Sequence, residues 1–443
     1  MPLTNTIGTA AARSYGFLTK SDIGGLVIFY SSSDGSLTSG GFSGINLNSS
    51  VNTFFNGTNS YPYWDLFSSQ SDGTIRFQKK ISAAYTTSGS GSYLDSSSNL
   101  FALGSDMGQL SSGYGPANIY KFDSNGNLSW RIGQNYTNFI NYADCGVDSS
   151  GNIYVVGVID TPYRYALIQK FNSSGLLLWT VANGYAVTGL NNGINACYVD
   201  SSGNTYGVGF FGNNVAGQPT KCAIYKYPTT GSSYTWVRGI YDSVAQNYQF
   251  TSISTDSVYF YVSGYTYNGS IYECLFCKYD TSGTLQFQKR IYTTTSVFIS
   301  RCIYSGGYVY LVGYVNVSSK NNILIIKLDT SGTIIWQKMI STSVALNGRN
   351  LSINSSNFVI HAQISTASTQ IVQIVLPISN GITGTFTAGG YTFTCSDASL
   401  SIATSTYSSG TILPSNSYPG TTTQTTFGTI STTTSLTKTS TPI

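Results

Sequence analysis

An all-β fold built by repeating one four-stranded unit follows from three features of this 443-residue chain. They are a signature that returns at nearly constant spacing, a second turn signature upstream of each copy, and a composition poor in charge and rich in turn formers and tyrosine. The signature is clearest from Lys327 to Trp336 (KLDTSGTIIW). Variants stand at Lys121 to Trp130, Lys170 to Trp179, Lys226 to Trp236 (one residue longer) and Lys278 to Phe287, and a first copy ends at Phe77. Four of the five tryptophans occupy one position of it, and Phe77 and Phe287 fill that position elsewhere. Successive aromatics are 53, 49, 57, 51 and 49 residues apart, the period of an array made from one supersecondary unit.

Each signature reads as a hairpin. Alternating residues lead to the Lys, an Asp/Asn-Ser/Thr-Ser-Gly turn follows, and a second alternating strand reaches the aromatic. Asp or Asn bonds amides two residues on, and Gly takes the positive φ that a β-branched residue resists. The upstream signature, DSSSNLFALG (Asp95 to Gly104), DSSGNIYVVG (Asp148 to Gly157) and DSSGNTYGVG (Asp200 to Gly209), adds a second hairpin per unit. Weaker copies occur at Asn48 to Gly57, Thr255 to Gly264, Tyr304 to Gly313 and Asn354 to Gln363. Seven units are thus expected between about residues 40 and 390. The innermost strands are expected to be those ending in Gly104, Gly157, Gly209, Gly264 and Gly313.

Composition supports a packed repeat array and excludes several function classes. Charged residues make up only 9 %, but 41 % hydrophobic and 14 % aromatic residues suffice to offset the entropy of ordering. The net charge of +4 is small and its basic residues are dispersed, so no nucleic-acid footprint is expected. No apolar run approaches the roughly 20 residues that span a bilayer, so no membrane insertion is expected. The opening MPLTNTIGTAAARSYGFLTKSDIGG lacks the basic leader and apolar core of a signal peptide. Residues 1–20 are read as an anchoring segment, 21–398 as the repeat domain and 399–443 as a Ser/Thr-rich tail. LVIFYSSSDGSL, an orphan half-unit within residues 20–40, is a candidate for completing the last unit; an eighth unit finished by GGYTFTCSDASLSIA is the alternative.

The seven cysteines are odd in number, and Cys145 with Cys197, like Cys222 with Cys274, recur at equivalent strand positions, as small core residues do. Cys274 and Cys277 form a CxxC, but within a strand their side chains face opposite sides, and no second CxxC or nearby His is present. Neither a metal nor a cofactor is expected. The single His, His361, lies in an apolar strand, and the single Glu, Glu273, has no acidic neighbour. A dispersed Asp pair forming a glycosidase site stays open.

Four-stranded units of about 50 residues fit a β-propeller, an all-β ring of antiparallel blades, here seven or eight. Asp-Ser-Ser-Gly followed by an aromatic resembles the tryptophan-docked repeats of quinoprotein dehydrogenases and of outer-membrane assembly lipoprotein propellers. That resemblance implies that Phe77, Trp130, Trp179, Trp236, Phe287 and Trp336 dock each blade on its neighbour. Lys121, Lys170, Lys226, Lys278 and Lys327 are expected to shield the indoles with their stems. The calcium-binding acid cluster of quinoprotein chemistry and the arginine triad of sialidases are not evident in the sequence.

Connections alternate between the faces of a propeller, so the tight turns share one face and the longer loops the other. The long-loop face carries Tyr61, Tyr63, Tyr114, Tyr163, Tyr165, Asn213, Asn214, Tyr265 and Tyr267, expected to bind an uncharged host-surface glycan or a protein. Finally, GTAAARSYGF, the low-charge repeats and the closing GGYTFTCSDASLSIATSTYSSGT resemble tail-fibre and appendage proteins of bacteriophages. This implies a non-enzymatic virion component that contacts other virion proteins through its termini. A bacterial cell-surface or periplasmic interaction propeller is the alternative.

Overall fold

The computed structural model of the chain describes residues 26–32, 42–47, 53–58, 63–69, 75–82, 86–107, 117–135, 139–161, 163–184, 190–213, 220–231, 233–241, 247–353, 357–365, 370–378, 383–388, 390–411, 416–417, 423–426 and 436–442. All its regular elements are strands, and the sheets form an all-β propeller. Six blades, each of four consecutive antiparallel strands, cover residues 42–82, 86–135, 139–184, 190–241, 247–292 and 297–341, numbered I to VI.

The expectation of seven or eight such units is therefore corrected to six. Beyond blade VI the chain supplies only three strands in succession, Ala345–Ile353, Asn357–Ser365 and Gln370–Pro377. The N-terminal strand Leu26–Ser32 pairs antiparallel with the last of these and completes a composite closing sheet. The innermost strands of neighbouring sheets pack on one another, and that of blade I also packs on Ala345–Ile353, so the ring is shut. Among the described residues no eighth unit forms. GGYTFTCSDASLSIA instead contributes Tyr391–Asp397, whose hairpin with Gly384–Ala388 lies on the outer edge of blade VI. Its Phe386 and Phe393 stack at 5.1 Å in the core shared with the closing sheet, which draws this segment outward.

The innermost strand is the first of each blade, not the one carrying Gly104, Gly157, Gly209, Gly264 or Gly313, which stands second. Those glycines have another cause. Each innermost strand is bulged, with register shifts at Tyr142/Asp144, Ile194/Ala196, Phe250/Ser252, Ile299/Arg301 and Gly348/Asn350. The bulge turns a carbonyl over the second strand, and a Cβ at Gly209 or Gly313 would collide with the oxygen of Gly193 or Phe298. The extra residue of three of these bulges then latches the next sheet. Asn195 Nδ2 donates to Phe250 O (2.7 Å), Thr251 Oγ1 to Ile299 O (2.9 Å) and Ser300 Oγ to Gly348 O (2.9 Å).

Blades also dock through the signature aromatics, each laid against the turn glycine of the following blade. Phe77 covers Gly126, Trp130 lies by Gly175, Trp179 covers Gly231, Trp236 lies by Gly283 and Phe287 by Gly332. Trp130 and Trp179 also donate their indole N–H to Ser173 O (3.3 Å) and Thr229 O (3.2 Å) of that turn. Trp336 stands edge-on to Phe358 of the closing sheet. The lysines do more than shield. Lys170 pairs across the strands with both Tyr154 and Trp179, holds its ammonium 4.9 Å above the Tyr154 ring, and donates to Thr229 Oγ1 (3.0 Å). Lys121, Lys226, Lys278 and Lys327 lie over Phe101, Tyr206, Tyr259 and Tyr308 in the same way.

The segment expected as a tail is a belt. Moving backwards round the ring, Ser401–Thr404 pairs with the outer strand of blade V, Ser408–Thr411 with blade IV, Asn416–Ser417 with blade III and Thr423–Thr426 with blade II. Leu436–Pro442 ends on Leu26–Ser32 of the closing sheet. Among the described residues only blade I has no added strand. Glutamine side chains fix the path: Gln337 exchanges two bonds with the backbone of Leu400, and Gln288 Nε2 donates to Ser405 O and Tyr407 O. Tyr407 then inserts edge-on to Tyr248, 5.2 Å away, and Lys338 pairs with Asp397. A belt on the outer strands satisfies sheet edges that would otherwise offer bare N–H and C=O groups.

Candidate functional site at the long-loop face

In blades V and VI the long-loop face is built by the end of Tyr259–Tyr267 and the starts of Tyr272–Asp280 and Val297–Ser305, with the end of Tyr308–Val317 alongside. Strand alternation sends Tyr265 and Tyr267 to one side, and the turn after Tyr267 brings Tyr272 beside them. The result is a run of half-buried rings crossing from one blade to the next. Tyr267 to Tyr272, Tyr272 to Phe298 and Phe298 to Tyr314 are separated by 4.8, 4.5 and 4.8 Å between centroids, with interplanar angles of 45°, 37° and 26°. Tyr265 stands edge-on to Tyr272 and Phe298, each 5.4 Å away. Burial, followed by the neighbouring Tyr272 hydroxyl, pushes the Tyr265 phenol up to about 12, so it is neutral at any working pH.

Amides border this platform. Asn316 Nδ2 donates to Asn321 Oδ1 (3.0 Å), and Asn321 Nδ2 to Asn347 Oδ1 (2.7 Å). The hairpin between them turns through Ser318 and Ser319, at φ of 52° and 61°, a conformation glycine and asparagine take more readily. Arg349, the bulge residue of the closing sheet, is exposed and donates from Nε and Nη2 to Gln363 Oε1 (3.2 and 2.9 Å). Its charge reaches Tyr314, whose phenol burial pushes up and Arg349 pulls back.

Of the residues singled out from sequence, Tyr265 and Tyr267 come together here. Tyr165 belongs to the core between blades II and III, 5 % exposed, which removes it from the surface. Tyr63, Tyr163 and Asn213 stand at the ends of strands of blades I, III and IV. Tyr61, Tyr114 and Asn214 lie outside the described residues. Phe298, Tyr314 and Arg349 escaped the sequence reading because they lie on strands or at a bulge, not in the long loops, and Tyr272, inside the 264–273 connection, was not singled out. A tyrosine opening the strand after each variable loop, as Tyr272 does, was the available signal.

Among the described residues, Glu273, His361 and several aspartates are committed to structural bonds. Glu273 is buried, paired with Arg290, and accepts from Asn268 Nδ2 (2.9 Å), so it braces the 268–271 turn. His361 is buried against Gln373, and burial lowers it to about 3. Asp123, Asp148, Asp280 and Asp329 hold turns: Asp148 Oδ1 accepts from the amides of Ser150 and Asn152, both 2.9 Å. Asp144, in the innermost strand of blade III, accepts from Cys145 N and Cys197 N, both 3.0 Å. Burial raises this carboxyl and Arg301, across the ring, lowers it. Six of the seven free cysteines are buried, and burial raises their thiols. Among the described residues no group of three His, Cys, Asp or Glu could hold a metal ion, and no helix is long and apolar enough to cross a membrane.

No protein-family model matches the chain, and no curated protein matches it. Solved structures similar to it include a protein of unknown function from Dyadobacter fermentans, at 10 % identity over 80 % of this chain and 98 % of that one, with a TM-score of 0.47. Sqt1 of Chaetomium thermophilum matches at 9 % identity over 82 % and 98 %, TM-score 0.46. An α-L-arabinanase of Penicillium chrysogenum, solved with arabinobiose, matches at 10 % identity over 81 % and 99 %, TM-score 0.41.

Proposed function

We propose that this propeller is a non-enzymatic recognition module that binds saccharide at the long-loop face of blades V and VI. The observation that carries the reading is the run of half-exposed rings from Tyr267 to Tyr314, bordered by amides. Aromatic faces take sugar C–H groups, while amides and hydroxyls pair with sugar hydroxyls at little cost in charge desolvation. Binding is favoured over hydrolysis because Glu273, His361 and the turn aspartates are each held in structural bonds. A saccharide array probed with the full chain, repeated with Tyr272→Ala and Phe298→Ala, tests the reading. Binding lost by at least tenfold in both variants supports it, and no saccharide bound by the parent protein refutes it.

The setting we propose is a virion appendage, on the likeness of the chain ends to phage tail-fibre proteins. Residues 1–20 are the anchoring candidate, with other virion proteins as partners. Mass measurement of particles carrying the chain, with and without residues 1–20, tests this: equal incorporation of both forms defeats the anchoring role.

A further inference from the structure

Given the saccharide reading, on which this rests, we infer that the ligand is an acidic sugar and that Arg349 takes its carboxylate. The sparse charge of the chain suggested an uncharged ligand. The placement of its few charges points the other way. Gly348 abuts Gly313, where an added Cβ would collide with the Gly313 carbonyl oxygen, so the residues that follow each, Arg349 and Tyr314, emerge side by side. Tyr314 stacks on Phe298 at 4.8 Å, which puts a guanidinium at the end of the aromatic run.

Among the described residues that guanidinium has no carboxylate partner. Gln363 Oε1 is neutral, and it fixes the fork by accepting from Nε and Nη2. The four strands of blade VI and the closing sheet contain a single acid, Asp329, which is bound into a tight turn at the opposite face, and Asp397 of the added edge hairpin is paired with Lys338. Glu273, the acid nearest the platform, is consumed by Arg290 and Asn268. A held, exposed arginine without a counter-charge suits a carboxylate, to which its planar fork donates charge-assisted bonds. A pyranose ring lying on Phe298 and Tyr314 with a carboxylate at its edge satisfies both halves of the site. Neutral sugars use the rings and leave the guanidinium in water.

The experiment uses the full chain and a panel of uronic-acid oligosaccharides, each paired with its methyl ester, so that the members of a pair differ in charge. Isothermal titration should show the acid bound about tenfold or more tighter than its ester, a difference of the size a charged hydrogen bond supplies. The preference should shrink as salt rises and should vanish in Arg349→Gln. Phe298→Ala should weaken both members. Equal affinity for acid and ester, or an acid preference that survives Arg349→Gln, overturns the inference while leaving saccharide binding intact. If neither member of any pair binds, this inference falls, and the saccharide array alone decides the reading on which it rests.

Discussion

Replacing Trp179 by alanine tests the blade-docking account most directly. An indole in a core buries roughly 150–250 Å², worth about 4–6 kcal/mol at ~25 cal/mol per Å². Trp179 is only half-buried, so the lower part applies and a loss of about 3–4 kcal/mol is expected. Its contacts are the edge of Tyr154, 6.0 Å away, the Thr229 carbonyl and the face of Gly231 in the next blade. The adjacent Leu178 points outward, 48 % exposed, and Leu178→Ala should change stability by no more than about 0.5 kcal/mol. Urea denaturation followed by circular dichroism measures both. Gly231→Ala supplies the other half of a cycle. Its backbone sits at φ 73°, costing about 1–2 kcal/mol for alanine, and its methyl would strike the indole. In the Trp179→Ala background the steric part disappears, so the double variant should be less damaged than the two singles added. Additive effects, or a Trp179→Ala loss no larger than that of Leu178→Ala, would refute docking.

Further expectations concern acid stability, the belt and the thiols. Burial keeps His361 neutral down to about 3 from an ordinary 6.5, so the unfolded chain binds more protons between those values. The His361 contribution to stability should therefore fall as pH drops from 6.5 towards 3, by up to about 1.4 kcal/mol per pH unit, and His361→Gln should flatten that part of the slope. Gln288→Ala removes the bonds to Ser405 O and Tyr407 O, and limited proteolysis should then cut near 399–411 faster while the blades stay intact; an unchanged cleavage pattern argues against the clasp. Cys145, Cys222, Cys274, Cys277, Cys302 and Cys395 are buried, so a thiol reagent should label none of them at neutral pH until denaturant is added. Rapid labelling of the native protein would contradict the burial.

The sequence by itself determined whatever a single unit can express locally. Asp148, Asn152 and Gly151 make one turn through their own bonds, and the same residues at the same spacing make it again at Asp200. That locality is why the hairpins, their common face and the recurring aromatic position were legible from spacing alone, while the docking role came from the family resemblance. Only the tertiary structure decided how the ring is shut and dressed. The orphan half-unit LVIFYSSSDGSL made an N-terminal closure one of two candidates, and only the pairing of Leu26–Ser32 with Gln370–Pro377, between opposite ends of the chain, decided for it over an eighth unit. The belt is silent for a related reason: strands such as Ser408–Thr411 have little apolar alternation, and their partners lie well over a hundred residues away, so outer-edge N–H and C=O groups select them. The platform follows the same rule. Tyr265 and Tyr267 belong to one repeat, but Phe298, Tyr314 and Arg349 come from the next blade and the closing sheet, and packing of neighbouring sheets around the ring brings them to one place.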